Sequence, residues 1–468
     1  MSAALLHRRS TEPVPPIRIV HLGLGAFHRA HQAWYTQHAA DAAGWGIAAF
    51  TGRRPDAAVT LAAQDGLYTL IERSGGGDSF EVVHSIVEAN DGADVARLAA
   101  LVAAESTAIV TLTITEPAYN LTAAGGVDFT LPAVVADVEI LRAAVAASAA
   151  EPRWATTAAG RLVQALAQRR RSGAGPMAVV SCDNLANNAA AARTAVRDLA
   201  AAADPALATW IDGNISFVGT SVDRITPRTT DADLELAARG GYLDNAAVVT
   251  EPFTDWILSG SFPAGRPHWE SAGATFVEDI EPFENRKLWL LNGAHSLLAY
   301  AGSLRGCETV AEALGDAECR SWIGEFWDEA ERHLPADGLG LPAYREALLG
   351  RFSNSRIAHF LAQIAMEGSS KLRMRAVPVL TAELAADRSG AGALRLIAAW
   401  VAFLRSARDQ GRPVSDAAAG GIARALAEPD GGDVPALLSL LDPELGLNTG
   451  LVERLQAAVG AFNPAQVG

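Results

Sequence analysis

Ile17-Arg-Ile-Val-His-Leu22-Gly23-Leu-Gly25-Ala-Phe27-His28-Arg29-Ala-His31 decides the fold. Four of its first six residues are apolar and three of these are β-branched, as in a buried strand. A glycine pair follows, and then a helical pattern. Strand, paired glycines and helix is the arrangement in which backbone N–H groups at a helix N-terminus receive a pyrophosphate. One departure counts against the match: His28 stands where the usual G-x-G-x-x-G fingerprint has its third glycine. A plain tight turn is the other reading, and the motif gains force from lying at the first strand of the chain. Gly23, Gly25, Ala26 and Phe27 are the candidate dinucleotide contacts. His28 and His31 form a helical i, i+3 pair, but no third ligand accompanies them, so a zinc site is not indicated.

Outward from this strand, Trp45–Phe50, Ala108–Thr115, Ala178–Ser181 and Ile215–Val218 read as further strands separated by Ala-rich helices. Leu67–Glu72 and Phe80–Ile86 read as a hairpin across Ser74-Gly-Gly-Gly77. This alternation predicts an α/β sheet of the Rossmann type. After Asp279 strand signals nearly vanish. Helical patterns over Ser321–His333, Ser355–Met366, Leu394–Ala407 and Leu451–Phe462 take over. We therefore expect two domains, 1–278 for dinucleotide binding and 279–468 as a mostly α-helical domain. The basic run Arg169-Arg-Arg171 reads as a solvated helix C-terminus.

Composition bounds the function. The 468 residues are 50% hydrophobic and 19% charged, ordinary for a globular enzyme with two cores. A formal net charge of −15 argues against nucleic-acid and anionic-membrane partners and points to a small-molecule ligand. The first sixteen residues carry no apolar run of signal-peptide length, so a cytoplasmic location is expected. Cys182, Cys307 and Cys319 suggest neither a disulfide framework nor a cysteine metal site. Nothing in the sequence fixes the oligomeric state.

The second chemical segment is Lys287-Leu-Trp-Leu-Leu-Asn292-Gly-Ala-His295. On a helix of about 100° per residue, Lys287, His295 and Asn292 fall at roughly 0°, 80° and 140°. The three polar tips could line one cleft. Pro282 near the first turn supports a helix there, and both a helix N-terminus and Arg286 would disfavour the Lys287 ammonium, as suits a base. The alternative is a surface lysine, a capping asparagine and a partly buried histidine. Ser181-Cys-Asp-Asn184 and Thr113-Ile-Thr-Glu116 lie just past predicted strands, where ligands collect in open α/β sheets. Asn184 could instead form an Asx-turn or cap a helix, and Glu116 a strand-end ion pair. Val222-Asp223-Arg224 would border a substrate pocket or hold its loop through an internal Asp–Arg pair.

Together the glycine turn, Ser181–Asn184, Val222–Pro227 and the Lys287–His295 segment resemble the mannitol dehydrogenase family, zinc-independent long-chain polyol and uronate dehydrogenases. The match runs from about Ile17 to at least Lys371, in the family's order and at similar spacings. The resemblance implies Lys287 as general base, Asn184 and Asn292 as donors to the substrate oxygen, and His295 as the residue that orients the substrate. Glu116 would help pass the proton to solvent. Asp56 lines up with an acidic residue of NAD-using members, whereas Arg53 and Arg54 could meet a 2′-phosphate; NAD is the expected cofactor and NADP stays open. His359, Gln363-Ile-Ala-Met366 and His295–Tyr300 look more like the fructuronate reductase branch than the mannitol 2-dehydrogenase branch. With Lys371, Arg375 and Arg373 nearby, the expected reaction interconverts fructuronate and mannonate. Mannitol or another polyol is the alternative substrate. A nucleotide sensor without turnover is a more distant one, which the intact polar set argues against.

Overall fold

Eleven strands form in the first part of the described chain: β1 Ile17–Leu22, β2 Gly46–Phe50, β3 Tyr68–Ser74, β4 Gly77–Val83, β5 Ile86–Asn90, β6 Ile109–Leu112, β7 Met177–Ser181, β8 Ile215–Asp223, β9 Val248–Thr250, β10 Asp255–Ser259 and β11 Thr275–Phe276. The structure is a computed structural model that describes residues 4–11, 13–145, 153–429 and 431–462. Two compact units divide the chain, Met1–Ile280 and Glu281–Gly468.

In the first unit eight strands form one sheet in the order β11-β10-β8-β7-β6-β1-β2-β5. From β5 to β8 every pairing is parallel, and β10 joins β8 antiparallel. Numbered among themselves, the six parallel strands run 3-2-1-4-5-6, the Rossmann order. The direction of winding reverses between β1 and β6, so the crevice beyond the carboxyl ends of these two strands is the expected ligand site. Burial on both faces explains the apolar reading of β1. Val20 and Leu22 pack with Val110, Leu141 and Leu162 on one side, and Ile19 with Tyr35, Trp256 and Trp269 on the other.

The expected hairpin is present, but it ends sooner than its apolar pattern suggests. β3 and β4 pair from Tyr68↔Val83 to Ser74↔Gly77, leaving Gly75 and Gly76 as the loop. Ile86 already belongs to β5 in the large sheet. Between them the His84 N–H donates to Gln37 and the Ser85 hydroxyl donates to the Ala33 carbonyl, which turns the chain from one sheet to the other. β9 pairs parallel with β3 to complete a second, three-stranded sheet.

Arg169 also departs from expectation. It is fully buried, and its guanidinium donates to the carbonyls of Val102, Ala104, Ala174, Gly175 and Pro176. Five helix-end and loop carbonyls converge on it, so the residue is a buried bracket and not a solvated cap.

The second unit is helical, and no described residue after Phe276 lies in a named strand. Helix Ala391–Asp409 is apolar around most of its circumference and buries Leu394, Ile397, Trp400, Val401 and Leu404. The helices expected over Ser321–His333 and Leu451–Phe462 form as Ala317–Glu331 and Thr449–Gly460. Ser355–Met366 does not become one helix. Only Leu361–Ile364 makes a turn, because Phe360 is bridged to Thr309 and the His359 carbonyl accepts the Val310 N–H, pairings that require extended chain. Among the described residues no helix is long and apolar enough to cross a membrane.

Candidate active site

The glycine turn sits at the reversal point of the sheet. Gly23 has φ 109°, and a Cβ there would overlap the Thr113 carbonyl oxygen, so only glycine lets the turn pass the end of β6. At Gly25 the nearest atom to an added Cβ is 3.6 Å away. Space is thus left open over the N-terminus of helix Ala26–Ala30, whose first N–H groups lack intrahelical acceptors. A dinucleotide pyrophosphate fits that cradle. The missing third glycine has a packing reason: the His28 ring stacks on His21 with centroids 3.3 Å apart, and His28 Nδ1 lies 3.3 Å from Gln32 Oε1. His21 in turn bridges Thr111 on β6 and Thr113 just past its end. His31 Nε2 lies 3.1 Å from the Asp255 carbonyl oxygen. Both histidines of the i, i+3 pair are therefore occupied by core contacts.

Beyond β6 and β7 the two loops are tied by one carboxylate. Asp183 accepts the Thr115 N–H at 2.7 Å and the Tyr119 hydroxyl at 2.6 Å. Burial pushes the Asp183 carboxyl upward, against these hydrogen bonds. Thr115 has φ 72° and ψ 152°, a combination that glycine adopts readily and other residues hold only when their surroundings enforce it. Glu116 and Asn184, the next residues along each loop, are both exposed. Asn184 is not the N-cap of the following helix, since that position belongs to Asn187.

Asp223 closes β8 and is buried. The neighbouring Arg224 pairs with Glu72 at 3.2 Å, donates to the Ala30 and Glu251 carbonyls, and lies over the Trp34 ring. Asp56 opens helix Asp56–Ala62 after β2 and holds Arg54 at 2.8 Å on the surface. The carboxylate expected to favour NAD thus also engages one of the two arginines that could greet a 2′-phosphate.

In the helical unit, Glu281–Arg286 is α-helical, Lys287–Gly293 is π-helical, Ala294–Leu297 returns to α, and Leu298–Gly302 is again π. The 100° wheel therefore misplaces Lys287 against Asn292. A turn closed by i→i+5 bonds brings residues five apart back to nearly the same face. Lys287 and Asn292 are consequently closer in azimuth than the roughly 140° of an α-helix. Gly293 permits this winding beside helix Ala317–Glu331, because a Cβ there would overlap the Phe326 ring. Two carbonyls of the widened stretch receive side-chain donors: Trp327 Nε1 donates to Leu290 at 2.7 Å, and Arg375 Nη1 to Asn292 at 3.2 Å.

His295 is buried, with its ring 4.7 Å from Phe352 and 4.9 Å from His359, centroid to centroid. Burial holds its pKa well below the usual histidine value, and the charges of His359, Arg351, Arg375 and Lys371 lower it further. Its Nε2 has no hydrogen-bond partner among the described residues. Arg375 also donates to Ser296 Oγ at 2.9 Å, and burial brings its pKa down to about 10. Lys371 donates to the Ile364 carbonyl at 3.0 Å; burial and then Arg375 lower its pKa. Arg373, on the other side of the same helix, is exposed and donates to the Leu440 carbonyl. Arg351, whose charge also bears on His295, was not among the expected site residues. Neither was Asp183, although a carboxylate next to a strand-end asparagine was a usable signal.

A parallel sheet of Rossmann order with an open glycine cradle at its reversal point, followed by a helical unit, defines a two-domain dinucleotide-dependent oxidoreductase. Residues 17–271 match the mannitol dehydrogenase Rossmann domain and residues 279–462 the mannitol dehydrogenase C-terminal domain, so the chain belongs to the mannitol dehydrogenase family. It is 37% identical to the D-mannonate oxidoreductase of Escherichia coli K12, over 85% of this chain and 82% of the relative. The substrate-free D-sorbitol dehydrogenase structure superposes with TM-score 0.88 at 28% identity, covering 100% of this chain and 97% of the other. Pseudomonas fluorescens mannitol 2-dehydrogenase, solved with NAD and D-mannitol, gives TM-score 0.78 at 30% identity, covering 100% and 96%. The chain is an oxidoreductase that acts on CH–OH groups of polyols or sugar acids.

Proposed function

We propose that this protein is a cytoplasmic, NAD-dependent oxidoreductase that interconverts D-fructuronate and D-mannonate. The observation that carries the reading is the positive charge of Lys371, Arg375 and Arg351 that bears on buried His295 in the helical unit, with the His359 ring 4.9 Å from it. A polyol has no use for so much positive charge, whereas a sugar acid brings a carboxylate to meet it. Lys371, Arg375 and His359 are assigned to that carboxylate. Asp223 is assigned to the substrate hydroxyls.

Bound NAD supplies the hydride acceptor, held by Gly23, Gly25, Ala26, Phe27 and Asp56. In the oxidative direction Lys287 Nζ takes the proton of the carbinol O–H as the C–H bond gives up its hydride and the C=O bond forms. In reduction the same ammonium returns the proton to the carbonyl oxygen. Asn292, on the face of Lys287, donates its amide to the oxygen on which charge develops. Such a preorganised donor is worth roughly 3 kcal/mol of barrier. Asn184 is assigned as a second amide donor and Glu116 as a relay to solvent, both on their motifs alone. His295, held neutral by burial, orients the substrate through Nε2.

The test is a spectrophotometric screen of NADH and NADPH against fructuronate, tagaturonate and fructose. Preference for fructuronate with NADH is the expected result. The ternary structure of a mannitol 2-dehydrogenase relative favours a second reading, mannitol oxidation to fructose. A wild type that prefers fructose would select it.

A further inference from the structure

We infer that Arg375 is a positioning residue, which locks the widened π-helical winding of Lys287–Gly293 and so holds Lys287 and Asn292 on one face, whatever substrate is bound. The inference rests on the proposed roles of Lys287 and Asn292 at the reacting oxygen, but not on the identity of the sugar.

The π-helical stretch returns to α-helix at Ala294. Carbonyls around such a junction exchange their i+5 partners for i+4 ones, and a side-chain donor can hold one of them in place. Arg375 is such a donor to the Asn292 carbonyl. One nitrogen, Nη1, reaches both the Asn292 carbonyl and the hydroxyl of Ser296, which is itself fully buried, and so pins residues on either side of the junction. Trp327 holds the Leu290 carbonyl in the same way from another helix. Rewinding to α would require Asn292 to give up this contact and would turn its side chain to roughly 140° from Lys287. The amide donor would then leave the face of the base. Arg375 Nε has no partner among the described residues, so a further acceptor is not excluded by the lock.

A carboxylate clamp and a positioning residue predict different kinetics. Removing a clamp weakens only the charged substrate, whereas removing the lock slows the chemical step for every substrate. The experiment compares Arg375→Ala, Arg375→Lys and Ser296→Ala with the wild-type holoenzyme, using fructuronate and fructose with NADH. Arg375→Ala is expected to lower kcat roughly 100-fold on both substrates, the scale of an ångström-sized misplacement, with NADH affinity unchanged. The Michaelis constant for fructose should move by less than about threefold, whereas that for fructuronate also carries the loss of a guanidinium assigned to its carboxylate. Added guanidinium ion should restore part of kcat, a recovery that a merely loosened fold would not give. Ser296→Ala should show a smaller loss in the same direction. A loss confined to fructuronate and expressed in KM would overturn the inference. Should Arg375→Ala not fold, Arg375→Lys decides: a shared kcat loss supports the lock, and wild-type kcat on both substrates refutes it. If the wild type reduces fructose and not fructuronate, the substrate reading falls while kcat on fructose still tests Arg375.

Discussion

Replacing Lys371 by Met keeps the length of the side chain and removes its charge, which isolates the electrostatic part of substrate choice. The Lys371 ammonium has three protons, and one is engaged by the Ile364 carbonyl at 3.0 Å. Two remain for a substrate. A hydrogen bond to a charged partner contributes about 1.5–3 kcal/mol, which corresponds to roughly 10- to 150-fold in kcat/KM. Arg351, Arg375 and His359 still act in the same neighbourhood, so we expect the lower half of that range. Fructose has no carboxylate, and its weaker reaction should change less than about threefold. The assay is the ratio of kcat/KM for fructuronate to that for fructose, in wild type and variant, at fixed ionic strength because salt screens the term. Equal losses on both substrates would refute the carboxylate role of Lys371. A wild-type ratio already in favour of fructose would refute the sugar-acid reading as a whole.

Lys287→Ala should lower turnover by about 10²–10⁴-fold with NADH binding retained, and near-normal turnover at pH 7 would remove it as the base. His295 should remain neutral through the range in which an ordinary histidine titrates, because burial first and the surrounding groups second oppose its protonation. Imidazole nitrogen shifts measured across that range would expose an error as a titration step. Burial raises the Glu383 carboxyl, but hydrogen bonds from Arg332, His333 and Arg388 outweigh it and hold the pKa at about 2. Its folded pKa lies below the unfolded one, so its contribution to stability is full above the unfolded carboxylate range and is lost as pH falls toward about 2. Glu383→Gln should therefore be less stable than wild type at pH 7, and urea midpoints of the two should converge toward pH 2; a constant gap would contradict this.

The sheet was legible where local pattern and burial agree. β1, β2, β6 and β7 are short apolar runs bounded by glycine or polar turns, and a strand buried on both faces must read that way. The edge was not legible: Phe80–Ile86 read as one run because the sheet change after Val83 depends on Gln37 and Ala33, distant in sequence. Extended pairing overrode helical spacing at Ser355–Met366 for the same reason. At the site, residue types were readable but their geometry was not. Nothing in Lys287–His295 signals a π-helix, since that winding depends on Phe326 against Gly293, Trp327 on Leu290 and Arg375 on Asn292, all brought in by tertiary packing. Arg169 misled because three consecutive arginines look solvated, and only the fold shows five carbonyls converging on the first.

An acidic protein proposed to take an anionic sugar looks contradictory until distances are considered. The net charge of −15 is the sum over the whole chain, and at physiological ionic strength exposed charges are largely screened beyond about 8 Å. Most carboxylates therefore contribute little at any one site. Arg351, Arg375 and Lys371, which act on His295, are of one sign, and partial burial of Lys371 and Arg375 reduces the screening between them and a ligand. The same burial costs desolvation when no anion is present, and it is visible in the lowered pKa values of both residues. A bound carboxylate would relieve that cost, while a neutral hydroxyl would not. The proposed selectivity for a sugar acid over a polyol would thus rest on the helical unit's own electrostatics, with the overall charge of the protein playing little part.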